Sequence, residues 1–138
     1  MRGDVLMEGA ARGPLLKLSA PLSFWGGIDP ASGNIIDVRH PQHGRCVAAT
    51  VLALPGTIGS SSSSSVLLEL IHKGRAPAAL ILAAPDAILL LGLVIAAEMG
   101  WSGPPALRLN ASDFAGLAEG LYVLRSDGRV EREKASYG

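Results

Sequence analysis

Aromatic residues are scarce in this 138-residue chain, 4% of the total, so its core has to be built from Leu, Ile, Val and Ala. Cysteine is scarcer still. Cys46 stands alone, which excludes an internal disulfide and leaves too few thiolates to hold an iron–sulfur cluster without another chain. An excess of charge of one sign is missing: the formal net charge is zero and the Lys and Arg residues are scattered, which argues against a nucleic-acid surface. No apolar signal core follows Met1-Arg2-Gly3-Asp4, so secretion is not expected and the cytoplasm is the expected location. A membrane span is not expected either. The apolar stretch from Ala76 to Met99 is cut by Pro85-Asp86 into runs of roughly ten residues, too short to cross about 30 Å of hydrocarbon. Several catalytic signatures are also lacking. There is no Gly-x-Ser-x-Gly, no histidine motif beside a serine, and no Lys where a phosphate-binding loop starting at Gly56 would need one. His40 and His43 have no further ligand at metal-binding spacing and read as structural loop residues.

What is present is a globular composition, 49% hydrophobic and 17% charged, at a length suited to one domain over residues 1–138 with a polar tail from about residue 126. Pro14 to Ala20 reads as a strand, followed by a turn-rich loop from Pro21 to Asn34 and a short strand over Ile35 to Val38. Cys46 to Leu54 reads as the strongest strand, with Cys46 an inert buried residue among alanines. After the serine run, Val66, Leu67, Leu70 and Ile71 recur at helical spacing, and His72-Lys73 with Gly74 close that helix. Ala78 to Ala83 reads as a buried strand. Asp86 caps a helix over Ala87 to Glu98 that is apolar nearly all round and is expected to be packed on two sides. A strand over Leu107 to Leu109, a short helix over Ser112 to Leu117, a strand over Leu121 to Leu124 and a turn at Ser126 to Arg129 complete the pattern. Alternation of strands and helices predicts an α/β domain with a partly parallel sheet.

The run Ser60 to Ser65, preceded by Gly59 and set between an apolar strand and an apolar helix, is the candidate for chemistry. One reading is a solvated linker that supplies a helix cap. The other is an anion pocket, in which hydroxyls and the unpaired N–H groups of a helix start converge and lower the pKa of a serine that acts as a base. The short spacing between strand and helix favours the pocket. Phe24-Trp25-Gly26-Gly27 is a second candidate. Its glycines would let backbone approach a ligand closely, or the segment is a tight turn with Trp25 filling the core.

Taken together, Pro21-Leu22-Ser23-Phe24-Trp25-Gly26-Gly27-Ile28-Asp29, His40-Pro41-x-x-Gly44, Leu54 to Ser64 and Ala76-Pro77-Ala78-Ala79-Leu80-Ile81-Leu82 resemble the small subunit of aconitase X. The resemblance covers about Pro14 to Leu109. It implies a swivelling β/β/α domain like the C-terminal domain of aconitase, working with a large subunit that carries an iron or iron–sulfur centre; no metal is expected to be held by this chain alone. Gly59-Ser60-Ser61 match the start of the superfamily's Gly-Ser-Ser-Arg-Glu-His motif, which places Ser60 on the catalytic base. Arg-Glu-His is replaced by Ser62-Ser63-Ser64, and the loss of that arginine argues for a substrate with a single carboxylate.

The resemblance therefore implies the small subunit of a cytoplasmic hydro-lyase. Ser60 would abstract the proton α to the substrate carboxylate, Ser61 and Ser62 would orient that carboxylate, and Trp25, Gly26 and Gly27 would wall the pocket. The unbroken serine run favours the family's cis-3-hydroxy-L-proline dehydratases, with mevalonate 5-phosphate dehydratase the alternative. A non-catalytic small-acid binding module, or a structural subunit whose serine loop only docks a partner, would use the same residues without chemistry.

Overall fold

The computed structural model describes residues 1–57 and 62–133. Four strands, β2 (Ala11–Lys17), β3 (Val51–Leu54), β4 (Ala79–Leu82) and β5 (Ala106–Arg108), run parallel in neighbouring pairs and form the middle of a mixed sheet. β1 (Asp4–Met7) joins antiparallel beside β5, and β6 (Leu121–Leu124) and β7 (Val130–Arg132) join antiparallel beyond β2. The resulting order is β1-β5-β4-β3-β2-β6-β7. The outer ends are drawn together: Gly3 N–H donates to Gly128 O at 2.9 Å and Val130 N–H donates to Met1 O at 2.8 Å. This seam curls the sheet into a half-barrel, which bears out the α/β expectation.

The side chains of the central strands divide the core into two layers, because successive residues of a strand face opposite sides. Leu16, Leu52, Leu54, Leu80 and Leu82 face two helices, α2 (Ser62–His72) and α3 (Ala87–Glu98). Leu15, Val51, Ala53, Ala79, Ile81 and Leu107 face the inside of the curl, where they meet Tyr122, Leu124, Val130 and Phe114 of α4 (Ala111–Ala115). Each fully buried leucine contributes about 1.5–3 kcal/mol through burial. The core is aliphatic, as the shortage of aromatics requires.

α2 begins in the serine run and turns Val66, Leu67, Leu70 and Ile71 inward, as their spacing predicts. Gly74 N–H donates to Ile71 O and Arg75 N–H to Leu70 O, so Gly74 closes the helix as expected. α3 has the predicted bounds, with the Asp86 carboxylate accepting from Ile88 and Leu89 N–H. Its packing differs from expectation. Leu89, Gly92, Leu93 and Ala96 are buried against α2 and the sheet, but Leu91 is 51% and Val94 47% exposed, so only one face is covered.

Other readings are corrected. The strand expected over Cys46 to Leu54 is regular only from Val51, because Thr50 N–H and Oγ1–H both donate to Val47 O and Ala49 takes a positive φ of 60°. Cys46 is consequently an exposed free thiol and not a buried one. The strand expected over Ile35 to Val38 is reduced to one isolated bridge, from Ile35 to Ile28; Ile35 is buried while Ile36 and Val38 are exposed. Residues 130–132, assigned to a polar tail, form β7, with Val130 buried and the two charged residues outside.

Candidate active site

The carboxyl ends of β2, β3, β4 and β5 lie along one edge of the sheet, where ligand sites of open α/β sheets are found. Each of β3, β4 and β5 is followed there by a helix start: Ser62 for α2, Asp86 for α3 and Asn110 for α4, whose side chain accepts from Asp113 N–H at 2.8 Å. Leaving β3, the chain passes Pro55 and Gly56 to Thr57, which bridges to Leu22. Ser60, the expected base, and Ser61 lie outside the described residues. Ser62 is half-buried at the first position of α2, with no acidic residue in that first turn to offset the positive end of the helix dipole.

The rest of the serine run lies within α2, with Ser65 exposed. Ser63 and Ser64 are buried, and Gly92 of α3 lies directly against the Ser64 backbone. The two helices approach so closely here that α3 carries glycine at position 92, opposite Ser64. The solvated-linker reading does not hold for Ser62 to Ser65, which are the first turn of α2.

Trp25, Gly26 and Gly27 lie in α1 (Phe24–Gly27), a single kinked turn that packs beside α2 through buried Phe24. Trp25 is 65% exposed, so it does not fill the core. Gly26 has a φ of 78° with nothing within 4 Å of its Cβ position, whereas Gly27 is buried against Leu22. Ser23 Oγ–H donates to Trp25 O at 2.8 Å and fixes the turn. The following loop is organised by Asp29, whose carboxyl is held below the ordinary carboxylate range by the Ser32 hydroxyl and then by Ala31 N–H. Ile36 N–H donates to Gly27 O, tying that loop back to α1. The structure thus brings α1 to the side of α2.

His40 is structural, as expected. Its buried ring faces Ala20 O through Nε2 at 3.0 Å and accepts Gln42 N–H at Nδ1 at 3.0 Å, which fixes the Nε2–H tautomer. Among the described residues no group of three or more His, Cys, Asp or Glu stands together to hold a metal ion. No described helix is long and apolar enough to cross a membrane. A cleft of about 580 Å³ beside Arg12, Arg125 and Arg129 lies elsewhere, along β2 and β6, and its arginines are paired with Glu133, Glu131 and Asp127.

Sequence reasoning missed one contact at this edge. Thr57 Oγ1–H donates to Asp86 Oδ2, across 29 positions of sequence, with no local pattern to announce it.

Comparisons with known proteins agree with this architecture. A family model for the aconitase X swivel domain matches residues 1–131. The chain is 47% identical over 126 residues, 91% of its length, to a Pseudomonas aeruginosa protein named cis-3-hydroxy-L-proline dehydratase, of which it covers 22%. It is 38% identical over 115 residues, 83% of each chain, to the phosphomevalonate dehydratase small subunit of Methanothermobacter thermautotrophicus. The solved holo-form of aconitase X from Thermococcus kodakaraensis superposes with a TM-score of 0.84 at 27% identity, covering 96% of this chain and 97% of that one. By its sequence and its half-barrel fold, this chain belongs to the aconitase X swivel domain family.

Proposed function

We propose that residues 1–138 act as one swivelling domain of a cytoplasmic, iron-dependent hydro-lyase that dehydrates cis-3-hydroxy-L-proline, with Ser60 as its base. The 47% identity to the P. aeruginosa relative, over nearly the whole chain, carries this choice of substrate. Ser60 takes the proton α to the carboxylate, the C–O bond to the ring hydroxyl breaks, and water leaves to give an unsaturated pyrroline. Ser61 and Ser62 orient the carboxylate at the positive end of α2, and Trp25, Gly26 and Gly27 wall one side of the pocket. The hydroxyproline carboxylate is single, which suits a helix start without the superfamily arginine.

The partner is a large subunit of the aconitase X type. Two observations support it. The chain spans about a fifth of the P. aeruginosa relative, so most of that enzyme lies outside the matched residues. The apolar outer face of α3, with Leu91 and Val94 half exposed, is suited to being covered by such a subunit. The iron centre is assigned to the partner because the single cysteine of this chain supplies too few thiolates to hold a cluster alone. Dehydration of mevalonate 5-phosphate is the second reading, favoured by the likeness to the M. thermautotrophicus small subunit.

The test is turnover of cis-3-hydroxy-L-proline by this chain co-expressed with an aconitase-X-type large subunit under anaerobic, iron-replete conditions. Turnover that is lost when this chain is omitted is expected. An iron-loaded complex that leaves hydroxyproline untouched and dehydrates mevalonate 5-phosphate would replace the first substrate with the second.

A further inference from the structure

The connection from β3 to α2 is held at its near end by a contact outside the serine run. Thr57, three positions before Ser60, donates its hydroxyl hydrogen to Asp86 Oδ2. The other oxygen of Asp86 accepts Ile88 N–H at 3.0 Å and Leu89 N–H at 3.1 Å. One carboxylate therefore fastens the backbone start of α3 to the stem of the segment that carries the candidate base. The stem is also tied on its other side, where Leu22 N–H donates to Gly56 O at 3.3 Å. A helix cap needs only the two N–H contacts; the third, to Thr57, reaches a different element and adds nothing to the cap.

We infer that Thr57 and Asp86 are positioning residues for the base: the Thr57 hydroxyl, held by the α3 cap, fixes where the β3–α2 segment starts and so where Ser60 meets the substrate. This inference rests on the proposal that Ser60 is the base. Because its only hydroxyl hydrogen is given to Asp86, Thr57 has none left to donate to a substrate carboxylate, so its effect passes through the backbone. The contact also joins Thr57 to the start of α3 at the sheet edge, so a displacement of α3 is carried to Thr57.

The test uses the assembled enzyme and the full chain. Thr57→Val keeps the shape and removes the hydroxyl, Thr57→Ser restores it, and Asp86→Asn keeps an oxygen for the cap while facing Thr57 with a donor. Thr57→Val should lower kcat by about 10–100-fold, the scale of a small misplacement of a reacting group, with KM nearly unchanged. Thr57→Ser should recover most of the activity, and the Thr57→Val/Asp86→Asn double variant should lose no more than the worse single one. Hydrogen–deuterium exchange of residues 55–65 in the full chain gives a readout independent of turnover; it should accelerate in Thr57→Val and not in Thr57→Ser. Wild-type turnover with unchanged kcat in Thr57→Val overturns the inference while Ser60 stands, as does a loss of kcat that merely follows a fall in melting temperature. If the wild-type complex dehydrates neither substrate, the functional proposal fails, and a Thr57-dependent exchange rate then marks a structural tie only.

Discussion

Gly92 of α3 lies on the backbone of Ser64 of α2: a Cβ built on Gly92 would stand 3.2 Å from the Ser64 carbonyl oxygen and 3.3 Å from its Cα. Both neighbours are main-chain atoms of another helix and cannot rotate aside. Gly92→Ala gains about 1 kcal/mol in helix propensity. We expect the displaced helix to outweigh that gain, for a net destabilisation of about 1 kcal/mol, since overpacking a close contact costs roughly 1–3 kcal/mol. Thermal unfolding of the variant checks the sign; a raised melting temperature would show that α3 shifts freely.

Ser60→Ala in the assembled enzyme should reduce kcat by about 10²–10⁴-fold, the usual worth of one proton-transfer group. Substrate binding should persist, because Ser61, Ser62 and the helix start remain. Steady-state kinetics under anaerobic conditions separate the two. Full turnover would remove Ser60 from the mechanism and move attention to the neighbouring serines.

His40→Ala should loosen the long β2–β3 connection. The buried ring makes one contact to Ala20 O and one to Gln42 N–H, both partly buried. Leaving those backbone groups without a partner costs about 1–3 kcal/mol. Denaturant unfolding should show the loss, and an unchanged midpoint would mean that water replaces the ring at no cost.

Acid should weaken the β6–β7 end first. Glu133 is held below the ordinary carboxylate range by its hydrogen bond from Arg12, Glu131 by that from Arg125, and Asp127 by the Arg129 backbone N–H and then its guanidinium. A lowered folded-state pKa means that these groups add stability above the unfolded carboxylate range and lose it as pH falls through their folded-state values. All the pairs are exposed, so the effect is small and screened by salt. Protection of the Val130–Arg132 amides, measured against the intrinsic exchange rate at each pH, should fall as pH drops through the ordinary carboxylate range into the interval below it, less so in high salt. No change over that interval would mean that the pairs are worth nothing in solution.

The seam between the outer strands depends on Gly128. Its φ is 94°, and a Cβ there would stand 2.6 Å from Gly3 O. Gly128→Ala combines backbone strain of about 1–3 kcal/mol with a main-chain clash. The expected result is faster exchange at Gly3 and Val130 together with a lower melting temperature, and a wild-type melting curve would show that the seam opens without penalty.

The sequence made some of this architecture legible and hid the rest for identifiable reasons. α3 was readable to its ends because Asp86 caps it, proline stands just before, and its interior is unbroken by polar residues. The extra length assigned to β3 came from Val47 and the small residues around it, whose pattern does not reveal the Val47–Thr50 turn. β1 and β7 escaped because each is chosen by a distant partner, Arg108 and Leu107 for one and Tyr122 to Leu124 for the other, and not by local hydrophobic alternation. At the site, Trp25 was placed beside the serine helix by family likeness, since nothing in its neighbours distinguishes a core tryptophan from an exposed one. The Thr57–Asp86 contact could not be read at all, because a threonine after a strand and an aspartate before a helix each have a sufficient local explanation.

The meeting of Met1–Gly3 with Gly128–Val130 puts two segments far apart in sequence at one point on the surface. A unit whose first and last strands are neighbours can be joined to another polypeptide, or separated from it, with little rearrangement inside. The matched residues make up about a fifth of the P. aeruginosa relative and most of the M. thermautotrophicus small subunit, an arrangement this geometry suits. Gene fusion and fission would here change how the domain is tethered, and therefore its effective concentration at the partner, without altering its internal contacts.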